Sequence, residues 1–257
     1  MLVRHIKMRW GTGDNYSYLI TDARTKHSWI IDPAEPKDIM PHLTPLINDG
    51  NVILKAIVNT HHHYDHSDGN SHFRGLFPNL PVIAGKDSPL VSYVPKDQEI
   101  LKLGDSVQIT ALHTPCHTQD SICYYVEDTN TNEKAVFTGD TLFTAGVGRF
   151  FEGTPAQMVS SFEKLFALPK ETVVYPGHEY TNSNVKFAKS VLENAALDKL
   201  EDFAKKNEIT TGKFTIGDEM LFNPFVRLTD PQIHKNIGGV SQPVEVMAKL
   251  RELKNKF

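Results

Sequence analysis

Four histidines and one aspartate directly after a short apolar segment constrain the fold more than any other feature of this chain. The segment 52–59, VILKAIVN, is rich in β-branched residues, which predicts a short buried strand. The histidines lie in residues 60–70, THHHYDHSDGN, at the C-terminal end of that strand. Open α/β sheets place their chemistry at this end of their strands. We therefore predict an α/β fold with a functional site on this loop.

The order of residues in this loop predicts a metal site. Neutral imidazole and carboxylate are ligands that suit zinc, with iron and manganese as alternatives. Residues two apart in an extended segment point the same way, so His61 and His63 could bind one ion while His62 points away. Asp65 and His66 fall on the following turn, where they could bind a second ion. A single histidine is more often a surface or core residue, but the H-x-H-x-D-H order after a strand favours a metal.

One loop supplies too few ligands for two ions, and three further strand-like segments also end at a histidine or an aspartate. They are residues 106–112 before HTPCHT, 135–137 before TGDT and 172–175 before PGHE. Taken singly, each would more often provide a turn aspartate or a capping histidine. Because all three stand in the same position relative to a strand, we expect these loops to meet at one metal site.

The blocks THHHYDH, HTPCHT, FTGDTLF and YPGHEYT resemble the metallo-β-lactamase superfamily and, within it, the glyoxalase II family of hydroxyacylglutathione hydrolases. The similarity extends from about residue 15 to the C-terminus. It implies an α/β fold with a four-layer αββα sandwich as the catalytic domain, residues 1–179, and an α-helical substrate-binding domain, residues 180–257. It also implies two divalent metal ions, zinc before iron or manganese. The resemblance assigns His61, His63 and His117 to the first metal, Asp65, His66 and His178 to the second, and Asp140 to a bridge between them.

The last predicted helix, residues 243–257, provides a clue to the substrate. It carries four lysine or arginine residues against two glutamates, a local charge of +2 in a chain whose net charge is −4. Arg251 and Lys254 are three residues apart and so share a face, on which they could bind a carboxylate. A solvated helix end is the alternative, because cations suit a helix C-terminus. The resemblance assigns both residues to the glutathione moiety and adds substrate contacts by Arg149, Phe151 and Tyr180.

Two of these substrate positions depart from the common family pattern. Related proteins often carry lysine where this chain has Arg149 and tyrosine where it has Phe151. The missing hydroxyl removes one possible hydrogen bond to the substrate, worth about 1 kcal/mol. We expect affinity to shift while the chemistry stays the same.

The metal site predicts a hydrolase. Two divalent cations with Asp65, Asp140 and a bridging hydroxide keep a net positive charge, which would polarise a carbonyl oxygen and hold water as hydroxide. The resemblance implies hydrolysis of S-2-hydroxyacylglutathione, typically S-D-lactoylglutathione, to glutathione and a 2-hydroxy acid such as D-lactate. This reaction is the second step of methylglyoxal detoxification by the glyoxalase pathway, and Asp65 and Asp140 are its expected catalytic residues.

Other functions fit parts of the same pattern. A mononuclear iron persulfide dioxygenase acting on glutathione persulfide would use similar ligands, and a binding protein could use the metals only to hold its loops. Flavodiiron members of the superfamily carry glutamate where this chain has His63, which weakens an oxygen-reductase function.

Composition sets the limits of these interpretations. Of the 257 residues, 40% are hydrophobic and 23% are charged, as in an ordinary soluble globular protein. No apolar stretch approaches the roughly 20 residues that span a bilayer, and the N-terminus lacks the apolar segment of a signal peptide. The net charge of −4 disfavours nucleic acid as a partner. Two cysteines, Cys116 and Cys123, favour a reducing compartment over a disulfide framework. We expect a cytoplasmic monomer whose partner is a small-molecule glutathione thioester, with no membrane or nucleic acid.

Supporting residues are harder to assign. Asp32, Asp68 and Glu179 are candidates to accept hydrogen bonds from the histidine ligands, and Asp68 could instead be a helix N-cap. Cys116 adjoins His117, but neighbours along a strand face opposite ways, so we expect no cysteine nucleophile.

The C-terminal part of the chain is predicted to be helical. TPAQ at residues 154–157 forms a capping box with proline at the first helical position. After His178 the apolar residues repeat at intervals of three and four, first from Val185 to Ala195 and then from Leu197 to Ala204. A glycine pair at 238–239 indicates a loop before the last helix.

Overall fold

The computed structural model describes the whole chain, residues 1–257. The chain forms two compact units: unit 1 contains residues 1–113 and 120–139, and unit 2 contains residues 114–119 and 140–257. The elements of unit 1 are β1 (Leu2–Met8), β2 (Asn15–Thr21), β3 (His27–Ile31), α1 (Pro36–Asn48), β4 (Ile53–Val58), α2 (Tyr64–Ser67), α3 (Asn70–Leu76), β5 (Val82–Ile83), β6 (Glu99–Leu103), β7 (Val107–His113), β8 (Ile122–Asp128) and β9 (Lys134–Gly139). The elements of unit 2 are β10 (Leu142–Phe143), β11 (Gly146–Val147), α4 (Pro155–Phe166), β12 (Val173–Pro176), α5 (Thr181–Val191), α6 (Ala195–Lys206), α7 (Ile216–Phe222), α8 (Pro231–Asn236) and α9 (Pro243–Lys256).

Unit 1 contains a mixed sheet of five strands in the order β1-β2-β3-β4-β5. The first three strands are antiparallel neighbours, whereas β3, β4 and β5 run parallel. The strand predicted at 52–59 is β4, and its last three residues are buried. Ile39 of α1 and Phe73 of α3 pack with Ile30 and Ile57 of the sheet in one apolar cluster. This core fixes the C-terminal end of β4, and therefore the start of the histidine loop.

Four antiparallel strands of unit 1 follow the order β6-β7-β8-β9. The ring of Phe137 in β9 packs on that of Tyr18 in β2, with centroids 5.2 Å apart. The hydroxyl of Tyr124 in β8 donates to the carbonyl of Asn59, just after β4, at 3.1 Å. The two sets of strands therefore share one interior, and the predicted α/β class with stacked sheets is confirmed.

Unit 2 is mostly helical, and its first long helix begins as the sequence predicts. The side chain of Thr154 accepts from the backbone N–H of Gln157, whose side chain accepts from the N–H of Thr154. Met158, Phe162 and Leu165, which share one face of α4, are buried. The capping box therefore fixes both the start of α4 and the face that it buries.

The repeats after His178 form two helices. α5 ends at Val191, and Asn194 caps α6 by accepting from the N–H of Leu197 at 2.8 Å. Ala195, which continues the first repeat in sequence, therefore belongs to the second helix. The longest helix, α9, has 14 residues, and no helix combines the length and hydropathy needed to cross a membrane.

Asp68 does not cap a helix. It is exposed at the C-terminal end of α2, and Gly69 is the N-cap residue of α3. A Cβ at Gly69 would lie 1.9 Å from the carbonyl oxygen of Pro33, so a side chain does not fit there. The N-cap interpretation of Asp68 is therefore wrong.

Candidate active site

Four of the seven predicted ligands lie together in unit 1, on the loop that follows β4. Nε2 of His61 and Nδ1 of His63 are 3.1 Å apart. Two nitrogens on one tetrahedral zinc lie about 3.3 Å apart, so this pair fits a single ion. Oδ2 of Asp65 lies 4.0 Å from Nε2 of His66, whose ring centroid is 4.2 Å from that of His61. The geometry of the loop agrees with the alternation expected from the sequence.

A buried carboxylate orients this loop. Asp32 is 1% exposed and accepts from Nδ1 of His66 at 2.9 Å and from both the N–H and Oγ1 of Thr60 at 2.7 Å. Because Oγ1 of Thr60 donates to Asp32, it accepts from Nδ1 of His61 at 3.1 Å. Both histidines are thereby held as the tautomer whose Nε2 carries a lone pair, which is the form that binds a metal.

The other two candidates for this supporting role have different surroundings. Asp68 is exposed, and Glu179 accepts from the N–H of Thr210 at 2.7 Å and from its hydroxyl at 2.6 Å. Thr60 is a residue that the sequence interpretation missed. Gly139 leaves room for it, because a Cβ there would lie 2.4 Å from Oγ1 of Thr60, and the φ of +48° also favours glycine.

The remaining three predicted ligands lie together in unit 2. Oδ2 of Asp140, directly after β9, is 3.5 Å from Nε2 of His117 and 3.4 Å from Nε2 of His178. One carboxylate oxygen is thus nearly equidistant from two imidazoles, a spacing that is compatible with a ligand shared between two ions. Nδ1 of His117 donates to the carbonyl of Arg149 at 2.9 Å, which leaves its Nε2 as the acceptor.

Other polar residues near the ligands have different partners. Nδ1 of His62 lies 2.8 Å from Oδ1 of Asp120, and the two form a separate group with Asp87. Nε2 of His113 bonds to the carbonyl of Pro95 at 2.8 Å. Both histidines therefore have hydrogen-bond partners outside the predicted ligand set.

Cys116 has the surroundings of a structural thiol. It is fully buried, its Sγ donates to the carbonyl of Thr154 at 3.3 Å, and burial raises the pKa of its thiol to about 12. Since the thiolate is the reactive form, Cys116 is not poised as a nucleophile. Cys116 and Cys123 are both free thiols, as expected for a chain without disulfides.

A pocket of about 510 Å³ lies within unit 2. Its wall from α9 consists of residues at helical spacing, and the opposite wall comes from the segment after β11 and the start of α4. The lining residues are Arg149, Phe150, Phe151, Gly153, Pro155, Ala248, Arg251, Glu252 and Asn255. The Phe151 ring is 60% exposed and meets the ring of His117 edge-on, with centroids 5.2 Å apart. One residue of the pocket wall therefore contacts a candidate ligand.

Arg251 is a buried cation in this pocket. It is 7% exposed, its Nη1 donates to the carbonyl of Val147 at 2.7 Å, and its buried Nε has no hydrogen-bond partner. Burial, together with the charge of Arg149, lowers the pKa of Arg251 to about 10. A buried guanidinium with an unused N–H group favours an anionic ligand. A freely solvated helix end, the alternative from sequence, does not describe this residue.

The side chain of Lys254, on the same helix, has different partners from that of Arg251. Its Nζ donates to the carbonyl of Ser183 at 3.0 Å and to its hydroxyl at 2.9 Å, between the rings of Phe187 and Phe257. Burial, with a contribution from Arg251, lowers the pKa of Lys254 to about 8.

Tyr180, the last of the predicted substrate residues, lies directly against a candidate ligand. Its ring stacks on that of His178, with centroids 4.6 Å apart and an interplanar angle of 12°. The stack restricts the rotation of the imidazole, and the ring remains 38% exposed.

Glu219 is a buried carboxyl group that the sequence interpretation missed. It accepts from the N–H of Ala145 at 3.0 Å and from Nδ2 of Asn223 at 2.9 Å. Burial raises its pKa to about 8, so the group is held largely neutral near pH 7. Its partner Ala145 lies between β10 and β11, in the hairpin that connects Asp140 to Arg149. No local motif marks this glutamate, because its burial is set by tertiary packing.

The donor set suits divalent metal ions. Five imidazoles and two carboxylates are present, and hydrogen bonds to Asp32, Thr60 and the carbonyl of Arg149 fix the tautomers of three of the histidines. Nitrogen and oxygen donors of this kind accept zinc, iron or manganese.

Comparison with known proteins agrees with the geometry. Residues 10–178 match the metallo-β-lactamase superfamily, and residues 179–257 match the hydroxyacylglutathione hydrolase C-terminus. The chain is 52% identical to a probable hydroxyacylglutathione hydrolase, glo2, of Schizosaccharomyces pombe, with 98% of each chain covered. It is 48% identical to the cytoplasmic isozyme of hydroxyacylglutathione hydrolase from Saccharomyces cerevisiae, with 100% of each chain covered.

A solved structure shares the same fold. The crystal structure of ETHE1 from Myxococcus xanthus superimposes with a TM-score of 0.67 at 25% identity and covers 99% of this chain and 98% of the other. Together with the matches along the sequence, this similarity establishes the metallo-β-lactamase fold. The chain belongs to the metallo-β-lactamase superfamily and, within it, to the family of hydroxyacylglutathione hydrolases.

Proposed function

We propose that this protein hydrolyses S-2-hydroxyacylglutathione thioesters, typically S-D-lactoylglutathione, to glutathione and a 2-hydroxy acid such as D-lactate. This is the second step of the glyoxalase pathway. Family membership supports the reaction class, and the observation that carries it is the position of Asp140, whose Oδ2 lies within 3.5 Å of the ligand nitrogens of His117 and His178. A carboxylate oxygen shared by two imidazoles suits a dinuclear hydrolase.

We infer that the two groups of ligands complete one dinuclear centre. His61, His63 and His117 would hold the first cation, Asp65, His66 and His178 the second, and Asp140 would serve both. Zinc is the proposed metal, with iron and manganese as alternatives, because all seven donors are nitrogen or oxygen. The geometry within each group supports this assignment.

When bound, two such cations supply Lewis acidity that polarises a thioester carbonyl and makes hydroxide available near neutral pH. The residues of the chain hold the donors in place. Asp32 and Thr60 keep His61 and His66 in the metal-binding tautomer, and the Arg149 carbonyl does the same for His117. Asp65 and Asp140 would orient the attacking water as hydrogen-bond acceptors. A thiol leaving group has a pKa of about 8.5 and needs no dedicated acid.

The pocket within unit 2 is the proposed site of the glutathione moiety. Arg251 and Arg149 would bind a carboxylate of the peptide, because both line the pocket and Arg251 keeps an unused N–H. Lys254 would add a second cation from the same helix. Tyr180 and Phe151, which pack on the ligands His178 and His117, would contact the substrate close to the thioester.

The wider assignments follow from this function. We propose that residues 1–179 serve as the catalytic domain and residues 180–257 as the substrate-binding domain. We further propose a cytoplasmic monomer that needs neither a membrane nor nucleic acid, in keeping with the net charge of −4 and the similarity to a cytoplasmic isozyme.

A thioesterase assay with and without chelator tests the function. Purified protein should release thiol from S-D-lactoylglutathione, lose this activity when its metal is removed, and regain it on addition of zinc, iron or manganese. Elemental analysis should find about two metal ions per chain. Oxygen consumption with glutathione persulfide, in place of thiol release, would instead indicate the persulfide dioxygenase, and absence of both reactions would indicate a binding protein.

A further inference from the structure

An asparagine at the start of β2 contacts one of the candidate metal ligands. Nδ2 of Asn15 lies 3.1 Å from Oδ2 of Asp65 and also 3.1 Å from the backbone carbonyl oxygen of Asp65. An amide nitrogen carries two hydrogens, so one donates to each oxygen. Asn15 therefore binds both the side chain and the backbone of this residue.

The orientation of the Asn15 amide follows from its partners. Carbonyl and ionised carboxylate oxygens only accept hydrogen bonds, so the amide nitrogen must face them and the amide oxygen must face away. Asn15 is fully buried, and its side chain therefore has little freedom to leave this position. The amide supplies two donors without adding a positive charge that would compete with a cation for the carboxylate.

The oxygen that Asn15 binds is the one that matters for the metal. Oδ2 of Asp65 is the carboxylate oxygen that lies 4.0 Å from Nε2 of His66. Rotation of the carboxyl group away from this position would separate Oδ2 of Asp65 from Nε2 of His66, the two atoms that would bind the metal. The hydrogen bonds from Asn15 oppose this rotation, because one fixes the side chain and the other fixes the backbone that carries it.

The loop before β2 is shaped to admit this amide. A Cβ at Gly13 would lie 2.5 Å from Oδ1 of Asn15 and 3.3 Å from Nε of Arg9, so a larger residue would displace the asparagine or the arginine. Asp14, between them, has a φ of +51°, which aspartate tolerates better than most residues. The N–H groups of residues 12, 13 and 14 all donate to the carbonyl of Arg9, which holds the turn closed.

We propose that Asn15 is a positioning residue for Asp65, and that its amide sets the affinity of the second metal position. The inference rests on the proposed role of Asp65 as a metal ligand. Hydrogen-bond partners of metal ligands commonly change metal affinity by about 10-fold to 100-fold. Replacement of Asn15 should therefore weaken the second metal ion selectively and leave the first, held by other residues, nearly unchanged.

Cobalt titration of the metal-free protein tests this role. Wild type should take up two equivalents of Co²⁺, with visible absorption bands that report the coordination of each. In Asn15→Ala and Asn15→Asp the second equivalent should bind at least about 10-fold more weakly, and the aspartate variant should be worse because its carboxylate would face two acceptor oxygens. Ser17→Ala is the matched control, since Ser17 is also fully buried in β2 but donates to the carbonyl of Ile31 at 2.7 Å.

The same experiment distinguishes positioning from general stability. Thermal unfolding of the metal-free variants gives the structural effect, which should be similar for Asn15→Ala and Ser17→Ala. If the asparagine variants unfold, Gly13→Ala provides a second test, because it displaces the Asn15 amide without removing it. Equal affinity for the second equivalent in wild type, Asn15→Ala and Gly13→Ala would overturn the role of Asn15 alone. Uptake of fewer than two equivalents by wild type would instead overturn the dinuclear centre.

Discussion

The carboxylate of Asp32 lies 2.9 Å from Nδ1 of His66 and is almost completely shielded from solvent. The backbone of Asp32 has a φ of +50°, an uncommon conformation for a residue with a side chain. A buried aspartate in this strained conformation, hydrogen-bonded to a candidate metal ligand, indicates that the fold tolerates local backbone strain in order to orient that histidine.

Asp32→Asn should weaken metal binding. The side chain of asparagine has one oxygen that accepts and one NH2 group that donates. The NH2 group would face either His66 or Thr60, which both donate to Asp32, so one of them would lose its acceptor. We expect a loss of about 10-fold to 100-fold in zinc affinity, measured by competition with a chromophoric chelator. Asp22→Asn is the control, because Asp22 is equally buried but accepts from the backbone N–H groups of Arg24 and Thr25. Comparable zinc affinity in both variants would contradict the role of Asp32.

Arg251→Ala should raise KM for S-D-lactoylglutathione by about 10-fold or more, since a charge-assisted hydrogen bond to a carboxylate is lost. The value of kcat should change by less than about threefold, because Arg251 is not one of the candidate metal ligands. Steady-state kinetics checks both values. Lys249→Ala is the matched control on the same helix, since Lys249 pairs with Glu252 and does not line the pocket. An unchanged KM in Arg251→Ala would contradict the assigned substrate site.

Lys254 should make substrate capture pH-dependent. Because burial lowers the pKa of Lys254 to about 8, its ammonium is charged below that pH and neutral above it. The value of kcat/KM should therefore fall as pH rises through about 8, since this ratio reports ionisations of the free enzyme. In Lys254→Arg the side chain stays charged, and the fall should move to higher pH. Initial rates corrected for spontaneous thioester hydrolysis provide the profile, and coincident profiles for the two proteins would contradict the prediction.

Glu219→Gln should stabilise the protein at neutral and alkaline pH. The pKa of Glu219 rises from 4.5 in the unfolded chain to about 8 in the folded one, mainly through burial and to a lesser extent through the charge of Asp218. Between these values the folded state keeps a proton that the unfolded state has lost, so the stability of the wild type falls as pH rises, by at most about 1.4 kcal/mol per pH unit. Glutamine has no such titration. Urea unfolding at several pH values measures the difference in free energy of unfolding between Glu219→Gln and the wild type. This difference should grow from pH 5 to pH 8, and a constant difference would contradict the prediction.

Local sequence patterns were sufficient to predict much of the fold. The β-branched segment 52–59 forms β4, TPAQ at 154–157 forms the capping box of α4, and the helix predicted after the glycine pair at 238–239 is α9. These features depend on neighbours in sequence, through side-chain alternation, capping and helical periodicity. Patterns of that kind can be read without knowing the tertiary fold.

The residues that support the ligands could not be chosen in the same way. Asp32, Asp68 and Glu179 are equivalent by chemistry, and only the path of the chain brings Asp32, 34 residues away in sequence, to His66. Asn15 belongs to no motif, Thr60 lies in the THHHYDH block without any local sign of its hydrogen bonds, and Glu219 looks like an ordinary helical glutamate until its burial is known. Long-range packing decides these partners, so a single sequence carries no local signal for them.

The close approach of Gly139 to Thr60 limits which positions of this protein can change during adaptation to new substrates. Any side chain there would collide with Thr60, and through Thr60 the disturbance would reach Asp32 and two histidines. A saturation library should therefore find Gly139 as intolerant of substitution as the candidate ligands. Laboratory evolution towards other acyl groups would gain more from diversifying the exposed Phe151, where a larger or more polar side chain meets mostly solvent.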